Sequence, residues 1–175
     1  MIGLLCAAAL LLAAAGAGKL IRPGGSALVT ARLPGAVRLS GALATRVGGL
    51  LELAVALTAL TLGGRAAATL MAVAYAGLAA MSIRLMAVAR GADCGCFGRP
   101  SRISHWHTAI NLGYLLVGLA GLRWPTGRLT ELLADRPGYG LLLLSAAATL
   151  AYLSYLAMTA LPELLRLASR TEVTP

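Results

Sequence analysis

The chain has 175 residues, 59% of them hydrophobic and only 12% charged, with a mean hydropathy of +0.83. Soluble domains carry about 25% charged residues, so this composition excludes an ordinary soluble domain and points to an integral membrane protein. Fifteen basic residues against six acidic ones are scattered as single arginines with one lysine. That pattern suits loops and lipid headgroups and excludes nucleic acid as a partner.

The first apolar run, residues 2 to about 20, approaches the ~20 residues that cross a hydrocarbon core about 30 Å thick. No basic residue precedes it, so it reads as a retained span rather than a cleaved signal peptide. Lys19, Arg22 and Pro23 close it, and Cys6 inside it reads as a small apolar side chain. Residues 22 to about 46 form a basic connector. From Pro34 its Val37, Leu39, Leu43 and Val47, interleaved with arginines, read as an interfacial amphipathic piece. A second span from about Val47 to Leu62 carries Glu52, and Gly63-Gly64-Arg65 is a tight turn. A third, about Ala66 to Ala89, carries Arg84. His105-Trp106-His107 opens a fourth span that closes at Arg123-Trp124-Pro125. Trp106 and Trp124 would mark the two membrane interfaces. A polar connector from Pro125 to Gly138 leads to a fifth span, about Tyr139 to Leu161, and Pro162 begins a charged tail. The expected fold is an all-α integral membrane protein: a four-helix transmembrane bundle core over 1–122, then a connector and a C-terminal transmembrane helix over 123–175.

Between the third and fourth spans lies Asp93-Cys94-Gly95-Cys96-Phe97-Gly98. An extended i,i+2 pair sits at the upper edge of the Cα separation a disulfide tolerates. Gly95 therefore allows a Cys94–Cys96 bridge only in a turn, and a strained bridge is exchange-prone. Threading the spans antiparallel brings Lys19, Glu52, Arg84, Asn111, His105 and the dithiol to one end of the bundle. A carboxylate inside a membrane is costly and takes a partner, so Glu52 is expected to pair with Arg84 or Lys19. Cationic neighbours would favour the thiolate, the nucleophile in exchange. Cys94, Cys96, His105 and His107 also have the donor chemistry of a zinc or copper site. Their one-residue gaps are tighter than the usual spacing, so no metal is expected and this set remains the alternative. Either histidine could instead take a thiol proton, or sit plainly at the interface beside Trp106.

Lys-Leu-Ile-x-Pro at Lys19 to Pro23, Leu-Glu-Leu at Leu51 to Leu53, and an arginine ahead of Cys-Gly-Cys-Phe-Gly at Cys94 to Gly98 resemble the MauE branch of the MauE/DoxX-like membrane proteins. The resemblance covers about residues 1–122. It implies a multi-pass protein of the bacterial cytoplasmic (inner) membrane, linked to methylamine utilisation. Such a protein would support maturation of the disulfide-rich methylamine dehydrogenase small subunit beside a thioredoxin-like partner. The bundle is also similar to the vitamin K epoxide reductase type, which would make Cys94 and Cys96 the redox pair and a quinone an electron acceptor. A second dithiol of that type is absent, since Cys6 stands alone.

Orientation has two pointers. The dithiol end collects ten basic residues, Lys19 and nine arginines. Arg65, Arg123, Arg128 and Arg136 make four at the other end. The positive-inside rule thus points that end to the cytoplasm. The resemblance points it outward, where disulfides persist, and the extracytoplasmic side is the expectation adopted. The function expected is a thiol–disulfide accessory protein with a disulfide-containing client. The alternatives are a small carrier using Glu52 and Arg84, and a metal-binding membrane module.

Overall fold

The computed structural model describes residues 1–23, 41–88, 97, 103–125 and 127–171. Among them all regular structure is helical. The helices are α1 (Ile2–Ile21), α2 (Gly41–Thr61), α3 (Gly64–Val88), α4 (His105–Arg123), α5 (Leu129–Asp135), α6 (Pro137–Thr159) and α7 (Leu161–Thr171). The long helices are rich in Ala and Leu, the strongest helix formers, and proline is confined to their ends, as at Pro137 in the first turn of α6. Gly63 and Gly64 have φ of 59° and 72°, the left-handed backbone that lets α2 reverse directly into α3.

Four described helices, α1, α2, α3 and α6, are long and apolar enough to cross a membrane. The fourth span expected from the sequence is present as α4, 19 residues long. It falls short of the other four in apolarity. His105, His107 and Asn111 are the reason. The polar connector contains the short helix α5, and the segment expected as a charged tail is helical from Leu161 to Thr171. In α7 the register puts Leu161, Leu164, Leu165 and Ala168 on one arc and Glu163 on the opposite one. The interfacial piece expected from Pro34 falls largely outside the described residues. Its last members, Leu43 and Val47, lie in the opening turns of α2.

α1 is the central helix. Its Ala7, Ala8 and Ala9 are fully buried, and it packs against α2 and α6 along its length and against α3 and α4 at their crossings. Two helix pairs are especially tight, α1 with α2 and α3 with α4. Both approach through small residues, the usual solution where lipid supplies no hydrophobic drive between helices. A Cβ on Gly16 would stand 2.6 Å from the Gly49 carbonyl oxygen, and one on Gly118 would stand 2.9 Å from the Ala72 backbone nitrogen. Buried hydroxyls cross-tie the bundle. Tyr75 donates to the Ala8 carbonyl at 2.7 Å, and Tyr114 and Ser154 hydroxyls meet at 2.8 Å. The outward surface is leucine-rich, including Leu50, Leu57, Leu116, Leu142 and Leu153, as a lipid-facing surface requires.

Candidate functional site

The polar end of the bundle is built on the α1–α2 crossing. Gly16 and Gly49 face each other, and each helix carries a charged residue three positions further on, Lys19 and Glu52. Three residues return nearly to the same helix face, so close backbone approach also delivers the two charges to one another. The Cβ of Glu52 lies over Gly16 and the Cβ of Lys19 over Gly49. Lys19 Nζ donates to Glu52 Oε1, and the side chains keep only 13% and 11% of their exposure. The second carboxylate oxygen, Oε2, is buried without a hydrogen-bond partner among the described residues. The pair expected for Glu52 is thus made with Lys19. Arg84 is exposed.

Beside Lys19 is a cavity of about 20 Å³, room for one water. Lys19, Tyr75, Phe97, Asn111 and Met158 are among its walls. Asn111 is buried on α4 and donates from Nδ2 to Ser82 Oγ at 3.3 Å; Ser82 in turn donates to the Leu78 carbonyl at 2.8 Å. This ties α4 to α3 at the level of the ion pair.

The two histidines part company. His105 is exposed, whereas His107, one turn ahead of Asn111, is completely buried. The Ser104 backbone N–H donates to His107 Nδ1 at 3.3 Å, and Ser104 Oγ lies 3.1 Å from the same nitrogen. A backbone N–H can only donate, so Nδ1 accepts and the neutral ring carries its hydrogen on Nε2. Among the described residues that Nε2 has no partner, nor has the buried Thr108 hydroxyl.

Cys94 and Cys96 lie outside the described residues, so the four-residue set of Cys94, Cys96, His105 and His107 does as well in its cysteine half. No group of three or more His, Cys, Asp or Glu side chains gathers among the described residues. Cys6 is buried and free on α1. Phe97, bonded to Cys96, is described and firmly seated. A Cβ on Gly18 would come within 2.4 Å of the Phe97 carbonyl oxygen, so only glycine fits there. The Phe97 ring meets Tyr155 of α6 edge-on, with centroids 4.9 Å apart and planes at 86°.

Sequence reasoning named His107 only as a metal-ligand or thiol-base alternative and Phe97 only as part of the Cys-Gly-Cys-Phe-Gly motif, and it missed Ser82 and Tyr155. The spacing of His107, Asn111, Tyr114, Gly118 and Gly121 traces the buried stripe of α4 and would have separated His107 from His105. The family model for methylamine utilisation protein MauE matches residues 1–124. The chain belongs to the MauE family. It is a multi-pass helical membrane protein of that methylamine-utilisation-associated family. The match ends one residue past α4, so the MauE part holds Lys19, Glu52, Asn111 and Phe97, while Tyr155 and Met158 reach the site from beyond it. No curated protein and no solved structure matches the chain.

Proposed function

We propose that the protein is a membrane-embedded thiol–disulfide accessory protein in which Cys94 and Cys96 exchange with a thioredoxin-like partner. The end served is disulfide formation in an extracytoplasmic client of the methylamine dehydrogenase type. The observation that carries this reading is the position of Phe97. The residue bonded to the dithiol is seated against α1 and shares a cavity wall with Lys19, whose ammonium is held by Glu52. Family membership supports it.

Exchange balances without any further reagent. A thiolate of the pair attacks the partner's disulfide and releases one partner thiolate. The second cysteine of the pair then resolves the mixed disulfide, leaving Cys94–Cys96 oxidised and the partner reduced. The same steps in reverse pass the disulfide on to a client dithiol. A cationic ammonium near the reacting sulfur favours its thiolate form. A quinone acceptor, implied by resemblance alone, does not fit the cavity beside Lys19, which has room for one water. No step is routed through it.

The carrier reading changes its footing, because Glu52 is held by Lys19 and Arg84 is exposed. It predicts loss of function in Glu52→Gln with the double cysteine variant intact. The test is acid-quenched alkylation of the Cys6→Ala protein from cells, with Cys94→Ser and Cys96→Ser as trapping variants. A reductant-sensitive Cys94–Cys96 bridge, together with a mixed disulfide trapped in one single-cysteine variant, is expected. Thiols that stay fully reduced under oxidising growth, with nothing trapped, would overturn the proposal.

A further inference from the structure

α7 follows α6 after a single residue, Ala160, and it carries two leucines, Leu164 and Leu165, that the bundle leaves exposed. We propose that α7 is an interfacial helix, lying along the membrane surface at the polar end of the bundle with Leu164 and Leu165 seated in the acyl layer of the bilayer. The inference goes beyond the thiol-exchange reading and does not depend on it.

The level of α7 follows from α6. Pro137–Thr159 is 23 residues long, about 34 Å of helix rise, enough to cross a hydrocarbon core about 30 Å thick. Its last buried side chain, Met158, shares a cavity wall with Lys19, so α6 ends at the same boundary as the ion pair. Leu161 therefore starts α7 at the membrane surface. Pro162 comes next. It has no amide hydrogen to offer the Met158 carbonyl and its ring crowds that carbonyl, which breaks the line of α6 at this level. The Ala160 amide still donates to the Leu156 carbonyl at 2.8 Å and the Leu164 amide to the Ala160 carbonyl at 3.0 Å, so the interruption is confined to one turn. An 11-residue helix rises about 16 Å. Upright, α7 would hold Leu164 and Leu165, 61% and 54% exposed, in water; lying flat, it keeps both at the boundary. Leu161, Leu164, Leu165 and Ala168 span an arc of about 100° opposite Glu163, the stripe width of a helix with one face in an apolar medium. The sequence of α7 also holds two arginines against one glutamate, a positive balance that suits a layer of headgroup phosphates. Exposed leucines of α6, among them Leu150 and Leu153, already face lipid, so the same apolar medium is at hand beyond the proline.

The experiment uses the full chain in lipid nanodiscs, with Trp106→Phe and Trp124→Phe clearing the native indoles. Glu163→Trp, Leu164→Trp and Leu165→Trp then report depth one at a time, against phosphatidylcholine brominated at graded positions along the chain and against aqueous iodide. An interfacial helix buries its apolar face about 5–10 Å into the headgroup and acyl boundary. Leu164→Trp and Leu165→Trp are therefore expected to lose most of their fluorescence to bromines near the headgroup end, while Glu163→Trp keeps most of its own there and loses it to iodide. Equal quenching of all three by iodide would mean that α7 stands in water, and the inference fails. Indoles at 164 and 165 shielded from both quenchers would mean that protein covers the arc, and the inference fails again. A second measurement serves if the tryptophan variants do not fold. In the otherwise unaltered chain, Leu164→Gln with Leu165→Gln is expected to speed amide exchange over α7 at least about tenfold, as two leucines leave an apolar medium, with α6 unchanged. Exchange over α7 that matches the parent overturns the inference.

Discussion

The α1–α2 and α3–α4 pairs solve one packing problem with different consequences. Both let two backbones touch through small residues, Gly16 with Gly49 in the first, and Gly118 and Gly121 with Ala72 and Ala68 in the second. In the first pair, the residue three positions past each glycine is charged, and close approach becomes a buried ion pair. In the second, Ala68 and Ala72 face the glycines, and the close approach there brings no charges together; the polar tie of that pair, Asn111 to Ser82, lies further along. The same contact geometry therefore brings charges together or only small side chains according to what stands one turn away.

The largest break in this comparison comes from removing one charge. Glu52→Leu leaves the Lys19 ammonium buried without its partner and should cost about 3–5 kcal/mol. Joining it with Lys19→Met should recover most of that loss, because apolar replacement of a whole buried pair is often neutral or stabilising. Reversible unfolding in mixed micelles measures both, and a double variant no more stable than Glu52→Leu would show that the pair is not the dominant interaction there. Next in size are the glycines. Gly49→Ala and Gly118→Ala each insert a Cβ against backbone and should each cost about 1–3 kcal/mol. Only Gly49→Ala should also change labelling of the Cys94–Cys96 thiols, since Lys19 Cβ lies over Gly49. Equal effects of the two on labelling would erase the distinction drawn here. Smallest is Arg84→Gln, on an exposed side chain, expected to stay within about 0.5 kcal/mol of the parent. A larger loss would return Arg84 to the site.

Hydrophobic runs, breakers and the Cys-Gly-Cys-Phe-Gly signature made the helices and the family legible in the sequence. Antiparallel threading also fixed depth, which is why Lys19 was available to Glu52. Threading does not fix azimuth. Ser82 and Arg84 share a depth on α3, but two residues turn a helix by about 200°, so Ser82 faces Asn111 and Arg84 faces out. His105 and His107 differ in the same way, and the stripe running through Asn111 carried the information to separate them. The Phe97–Tyr155 contact had no such signal. It joins a turn residue to a helix 58 positions later, and no periodicity links the two.

The apolarity of α4 has a consequence for how the chain is made. Its outer stripe, Leu112, Leu116 and Leu119, is exposed and apolar, while His107 and Asn111 are hidden on the side that meets α3. Alone in the bilayer during synthesis, α4 would present those polar groups to lipid, where each unsatisfied group is costly. Docked on α3 it presents leucine. The economical route into the membrane is therefore a hairpin in which α3 waits at the translocation machinery and enters together with α4.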